Sequence, residues 1–139
     1  MLLLSLFGIV LVNCGTKTPP RDHIPAIKAN LLKLQEAVKN QNRVVIDSVL
    51  SPTILEKGQS SDSLLNYVYS KDRFEFEQFG QASITYTFDK GRIDCYIMDS
   101  THTKERPLTF FIVLEHEMWL FSGFQQGTDY EDSVLADTM

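Results

Sequence analysis

The chain has 139 residues, 43% of them hydrophobic and 22% charged, with seven Gly and five Pro. That composition makes one ordinary globular domain and excludes a collagen-like or wholly disordered chain. Thirteen Lys and Arg against 18 Asp and Glu leave a formal charge of −5, and no basic patch offsets it, which argues against a nucleic-acid partner.

Residues 2–12, LLLSLFGIVLV, form an uncharged apolar run of eleven followed by Asn13, Cys14 and Gly15. A bilayer span needs about 20 apolar residues, so this run suits the core of an export signal instead. Leu11-Val12-Asn13-Cys14 resembles a bacterial lipobox. Asn13 departs from the small residue usual before the cysteine, and no Lys or Arg precedes the run. The resemblance implies a signal peptide over residues 1–13, with lipid on Cys14. It implies a membrane-lipid partner through that acyl group, a place in the bacterial cell envelope, and, from Gly15 in place of Asp, the outer membrane. Two or three acyl chains at about 0.8 kcal/mol per buried CH₂ make such an anchor effectively permanent. With Cys14 acylated, Cys95 is left without a disulfide partner.

Residues 14–23 contain Pro19-Pro20 among small and polar residues and read as a tether. Asp22 and Pro25 introduce Ile24, Ile27, Leu31, Leu34 and Val38, whose spacings of three and four mark one helical face. A break is expected near Asn42, helical spacing resumes through Val45, Ile46, Val49 and Leu50, and Ser51-Pro52 ends it. Ser60-Ser61-Asp62 is a cap for a short helix carrying Leu64, Leu65, Tyr67 and Val68. From Phe74 the period changes to two, with strands expected through Phe88, from Ile93 to Met98, over Leu108–Leu114 and over Trp119–Phe124. The first turn is placed at Asp89-Lys90-Gly91, and a polar loop is expected from Asp99 to Arg106. Thr128 to Met139 carries Asp129, Glu131, Asp132 and Asp137 with no base and reads as an acidic disordered tail. One domain over residues 24–127 remains.

Helices first and an antiparallel meander afterwards give an α+β class, with N-terminal helices packed on a curved antiparallel sheet. The helix broken at "KNQN" before "VVIDSVLSP", together with the closing "FFIVLEHEMWLFSGF", resembles the nuclear transport factor 2-like (NTF2-like) superfamily. Its cone-shaped domains include ketosteroid isomerase-like and SnoaL-like proteins and exported lipoproteins. A cystatin-like helix on a sheet is the alternative. The resemblance implies a binding or interaction module, or an isomerase- or dehydratase-like enzyme with an acid/base at the mouth of the cone, or a structural partner in envelope assembly.

Strand alternation turns Ile84, Tyr86, Phe88, Ile93, Cys95, Ile97, Phe110, Ile112, Leu114 and Trp119 inward. Tyr86, Phe88, Phe110 and Trp119, with Asp99 and His116 at strand ends, make a candidate pocket for a small apolar ligand, with the Tyr86 hydroxyl as its polar handle. No catalytic residue is assigned, and no cofactor is expected. Glu115-His116-Glu117 lacks the second histidine of a zinc-peptidase motif and reads as a hairpin turn, and Asp99, His102 and Glu105 read as loop polarity without a metal. Cys95 is expected to be buried and inert. Asp94 points outward. Tyr96, Met98, Phe111, Val113 and Leu120 are expected to form an apolar area on the other face of the sheet, for a second copy or an envelope protein.

Overall fold

The computed structural model describes residues 22–128. The apolar leader, Cys14, most of the tether and the acidic residues after Thr128 lie outside the described residues.

Helix α1 spans Ile24–Lys39 and opens with Pro25, whose fixed φ suits the first turn. The Asp22 carboxylate accepts the Ile24 N–H at 3.0 Å. Ile27, Leu31, Leu34, Ala37 and Val38 are the face it buries. Gln41 takes a left-handed φ of 52°, which ends the helix. Asn42 then accepts the Val45 N–H and starts α2, Arg43–Val49. The expected break is therefore a full stop and restart, capped by the same asparagine that interrupts the apolar pattern. Ser51-Pro52 does not simply end the run. The Ser51 side chain accepts the Thr53 N–H and a 3₁₀ turn follows over Pro52–Lys57, closed by Gly58 at φ 70°. In α3, Ser61–Val68, Ser60 and Ser63 cap each other's backbone N–H groups reciprocally.

Four strands form one antiparallel meander in the order β1 (Phe76–Thr87), β2 (Lys90–Asp99), β3 (Lys104–Glu115) and β4 (Met118–Gln126). The helices cover one face. Ile93, Ile97, Leu108, Phe110 and Phe121 from the sheet meet Ile27, Leu34, Ile46 and Leu64 from the helices in a single core. Arg106 of β3 reaches across to donate to the Tyr67 and Val68 carbonyls at 2.8 and 2.9 Å, which satisfies the C-terminal end of α3.

Several boundaries differ from the sequence reading. The first hairpin turns on Phe88 and Asp89, with Thr87 paired to Lys90, so Lys90 and Gly91 belong to β2. Gly91 permits this early pairing, since a Cβ there would lie 2.6 Å from the Thr85 carbonyl. Phe88 is accordingly not an inward residue. It is 88% exposed with φ 55°. Strand β1 also carries register shifts between Phe76 and Gln78 and between Gly80 and Ser83, which is how Phe76 and Phe79 both reach the core. The expected polar loop before β3 shrinks to Ser100–Thr103, because Lys104 already pairs with Met98. Met98 is on the outer side of the sheet but is only 7% exposed, since its thioether lies over Gly80, which has no side chain to displace it.

Candidate functional site

The space between helices and sheet is filled by rings. Phe76 and Phe79 lie 4.8 Å apart by centroid, Phe79 and Phe110 5.1 Å, and Phe110 and Phe121 5.1 Å. Phe110, expected in the pocket wall, sits at the centre of this series at 1% exposure. Tyr86 and Trp119 do come together, at 5.7 Å, and both contact the His23 ring. The Trp119 indole N–H donates to His23 Nδ1 at 3.0 Å, and the His23 backbone N–H donates to the Tyr86 hydroxyl at 3.2 Å. The polar handle expected of Tyr86 is thus used to hold the start of α1, a partner that alternation within the strands does not reveal. Its signal was the histidine just before the helix.

Asp99 and His116 do not join them. Asp99 ends β2, where its carboxylate accepts the Thr101 N–H, the Thr101 hydroxyl and the Thr103 N–H at 2.9, 2.6 and 3.0 Å. The Thr101 hydroxyl, then the Thr103 amide, hold its carboxyl below the usual range. His116 and Glu117 form the β3–β4 turn with φ of 49° and 65°, the two left-handed residues of a tight hairpin. Strand β3 separates the two sites by roughly 36 Å at about 3.3 Å per residue, so they cannot act on one molecule. Cys95 is buried, its thiol 3.5 Å from the Leu108 carbonyl, and burial followed by the neighbouring Asp94 charge pushes it up to about 12. Among the described residues no group of three or more His, Cys, Asp or Glu side chains is placed to hold a metal ion.

The open chemistry lies on the other face of the sheet. Register brings Arg92 beside Phe111, Asp94 beside Thr109 and Tyr96 beside Pro107, with Gly123 and Gln125 of β4 completing the rows. Arg92 grips Asp94 through two bonds of 2.9 and 3.1 Å, and the Thr109 hydroxyl donates to Asp94 at 2.7 Å. This network floors a cleft of about 450 Å³ between Gln81, Ser83 and Gln125. Two further clefts, of about 350 and 530 Å³, share Phe111, Lys90 and Gly91. Phe111, Val113, Tyr96 and Leu120 are half-buried here. Lys57 lies over the Phe111 ring at 5.2 Å and Lys104 over Tyr96 at 4.8 Å, contacts worth about 0.5–1 kcal/mol each at exposed sites. Among the described residues no carboxylate stands within ion-pair distance of Lys57, Lys90 or Lys104. The clefts thus set Lys57, Lys90 and Arg92 among Asp89, Asp94 and Glu115, with Asp94 engaged by Arg92 and Glu115 by Ser51. Of the polar members, Asp94 was legible as outward from alternation in β2; its partners Arg92 and Thr109 and the Lys57 contact, made from the 3₁₀ turn, were not.

No family model and no curated protein matches the sequence, but solved structures share its arrangement. A candidate calcium/calmodulin-dependent kinase II association domain from Exiguobacterium sibiricum superposes with a TM-score of 0.57 at 13% identity, covering 81% of this chain and 98% of that one. An NTF2-like protein of unknown function from Shewanella baltica gives 0.51 at 12%, covering 81% and 100%. The fold is NTF2-like. A protein with a cystatin-like fold from Nostoc punctiforme gives 0.52 at 10%, covering 76% and 90%, as expected where both families lay helices on a curved antiparallel sheet. An NTF2-like domain hosts many unrelated functions, so at these identities the likeness concerns the fold alone.

Proposed function

We propose that this NTF2-like domain is a lipid-anchored, non-catalytic interaction module of the bacterial envelope. Its outer sheet face docks an apolar, acid-rimmed surface of another envelope protein. The anchor part rests on the apolar run of residues 2–12 and the Leu11–Cys14 segment. The docking part rests on one observation: two clefts share a half-buried Phe111, and Lys57 and Lys90 beside it make no ion pair with a carboxylate among the described residues. A half-buried aromatic centre with lysines at its rim is the anatomy of a protein interface, in which the rim sets encounter rate and partner choice. The filled interior and the separation of Asp99 from His116 support a module that binds on its surface over one that turns over a substrate inside.

The test is a photo-crosslinking side chain at Phe111 in cells carrying the full chain. We expect one discrete adduct, reduced about tenfold by Lys57→Glu with Lys104→Glu, the equivalent of roughly 1.4 kcal/mol, and none from the same group at Glu36 on the exposed side of α1. Equal labelling from both positions, or none from Phe111, would overturn the docking face.

A further inference from the structure

The two edges of the sheet are treated differently. Along β4, Ser51 donates its N–H to the Phe121 carbonyl, Gln59 both donates to the Phe124 carbonyl and accepts the Phe124 N–H, and the Asn30 amide meets the Trp119 carbonyl. That edge is closed by the chain itself. Along β1, Gln35 accepts the Phe79 N–H at 3.0 Å. Beyond that point no main-chain bond among the described residues reaches the free side of Ser83 to Thr87. Thr87 pairs with Lys90 across a two-residue turn, so Ser83, Thr85 and Thr87 spend their N–H and C=O groups on β2. Ile84 and Tyr86 therefore aim theirs away from the sheet. Natural edges are usually blunted with charge, proline or a bulge, and the bulges of β1 end before Ser83. From Gln78 to Phe88 this one has no charge and no proline.

We propose that this open edge pairs with the same edge of a second copy, antiparallel about a two-fold axis at Thr85, to make one continuous sheet across two chains. In that register Ile84 of each copy exchanges both main-chain bonds with Tyr86 of the other, about four bonds in all. The side chains suit it. Ile84 meets Tyr86, Thr85 meets Thr85 and Ser83 meets Thr87, which are the aromatic–branched and hydroxyl pairs that stabilise neighbouring strands. Two copies of a chain with net charge −5 meet along the seven uncharged residues Ala82 to Phe88, free of like-charge repulsion. The same register sets Phe88 opposite Ala82, a small neighbour for a ring that is otherwise 88% exposed. Such a contact buries less than the roughly 1,200 Å² of a standard interface, so it is weak in solution and gains from confinement on a membrane. The outer faces of the two copies stay free and lie side by side, so this pairing stands or falls apart from the docking reading.

Disulfide trapping tests the register in the full chain carrying Cys14→Ser, in detergent, with buried Cys95 silent. Facing residues at a non-hydrogen-bonded antiparallel site lie about 4.5 Å apart by Cα, within disulfide reach. Thr85→Cys alone is expected to give a covalent dimer. Ser83→Cys and Thr87→Cys are expected to do so only when mixed. A chain that sediments as a monomer at every concentration, a Thr85→Cys chain that stays monomeric under oxidant, or Ser83→Cys linking to itself would overturn the proposal. An independent readout needs no substitution: the Ile84 and Tyr86 amides should exchange hydrogen more slowly as wild-type concentration rises, and concentration-independent exchange would refute the pairing.

Discussion

Cys95 ties one side chain to the pH dependence of the fold. Its thiol is pushed from 9.0 up to about 12 by burial, with Asp94 adding to it. The folded chain keeps the proton where the unfolded chain gives it up, so this contribution is complete below pH 9 and is lost as pH rises toward 12. Urea denaturation should show stability falling by about 1.4 kcal/mol per pH unit across that window, and Cys95→Ala should flatten the slope while losing packing at neutral pH. The thiol should also resist alkylation until the chain unfolds. Its burial was legible because Ile93, Cys95 and Ile97 alternate without interruption, as do Phe110 and Ile112. Phe88 was misread for the converse reason: it continues the alternation of Ile84 and Tyr86, but the chain has already turned, and turn position overrides period. Tyr86 and Trp119 were placed inside correctly, yet their joint partner His23 belongs to another element and only tertiary packing brings it there.

Helix starts were readable at Asn42 and Ser60 because capping is chemistry local to three or four residues. The 3₁₀ turn after Ser51 and the two register shifts in β1 were not, since each is settled by what the segment meets across space. The β1–β2 hairpin shows the distinction in a testable way. Gly91 is needed because Thr85 and Tyr86 occupy the room a side chain would take, with approaches of 2.6 and 2.7 Å. Gly91→Ala is therefore expected to cost about 2 kcal/mol or more, in the range of overpacked sites. Asn42→Ala, which removes a helix cap and leaves packing intact, should cost about 1 kcal/mol. Denaturant midpoints of the two variants measure both, and a smaller loss at Gly91 than at Asn42 would contradict the close packing of that hairpin.

The proposed anchoring, docking and pairing place different demands on the chain and draw on different parts of it. The anchor was read from residues 2–14 alone, the α+β layout from periodicity, and the outer face from the alternate residues of β2 and β3. Cys14→Ala is expected to shift the protein from the membrane fraction to the soluble one, with intact-mass analysis of the native chain showing an acylated N-terminus at Cys14. A native chain starting elsewhere and recovered as soluble would refute the anchor. On a membrane, copies held by lipid move in two dimensions, so a weak edge contact and a docking face act at high effective concentration.

The sealed margin of β4 determines how far assembly can go. A sheet with two unprotected margins adds chains at both ends and grows into a fibre. Here Ser51 and Gln59 occupy one margin with the chain's own hydrogen bonds, so pairing through β1 uses the margin left open among the described residues and closes at a stoichiometry of two. Gln59 thereby acts as a terminator: its side-chain amide takes up the Phe124 N–H and C=O, which would otherwise stand open to a further strand.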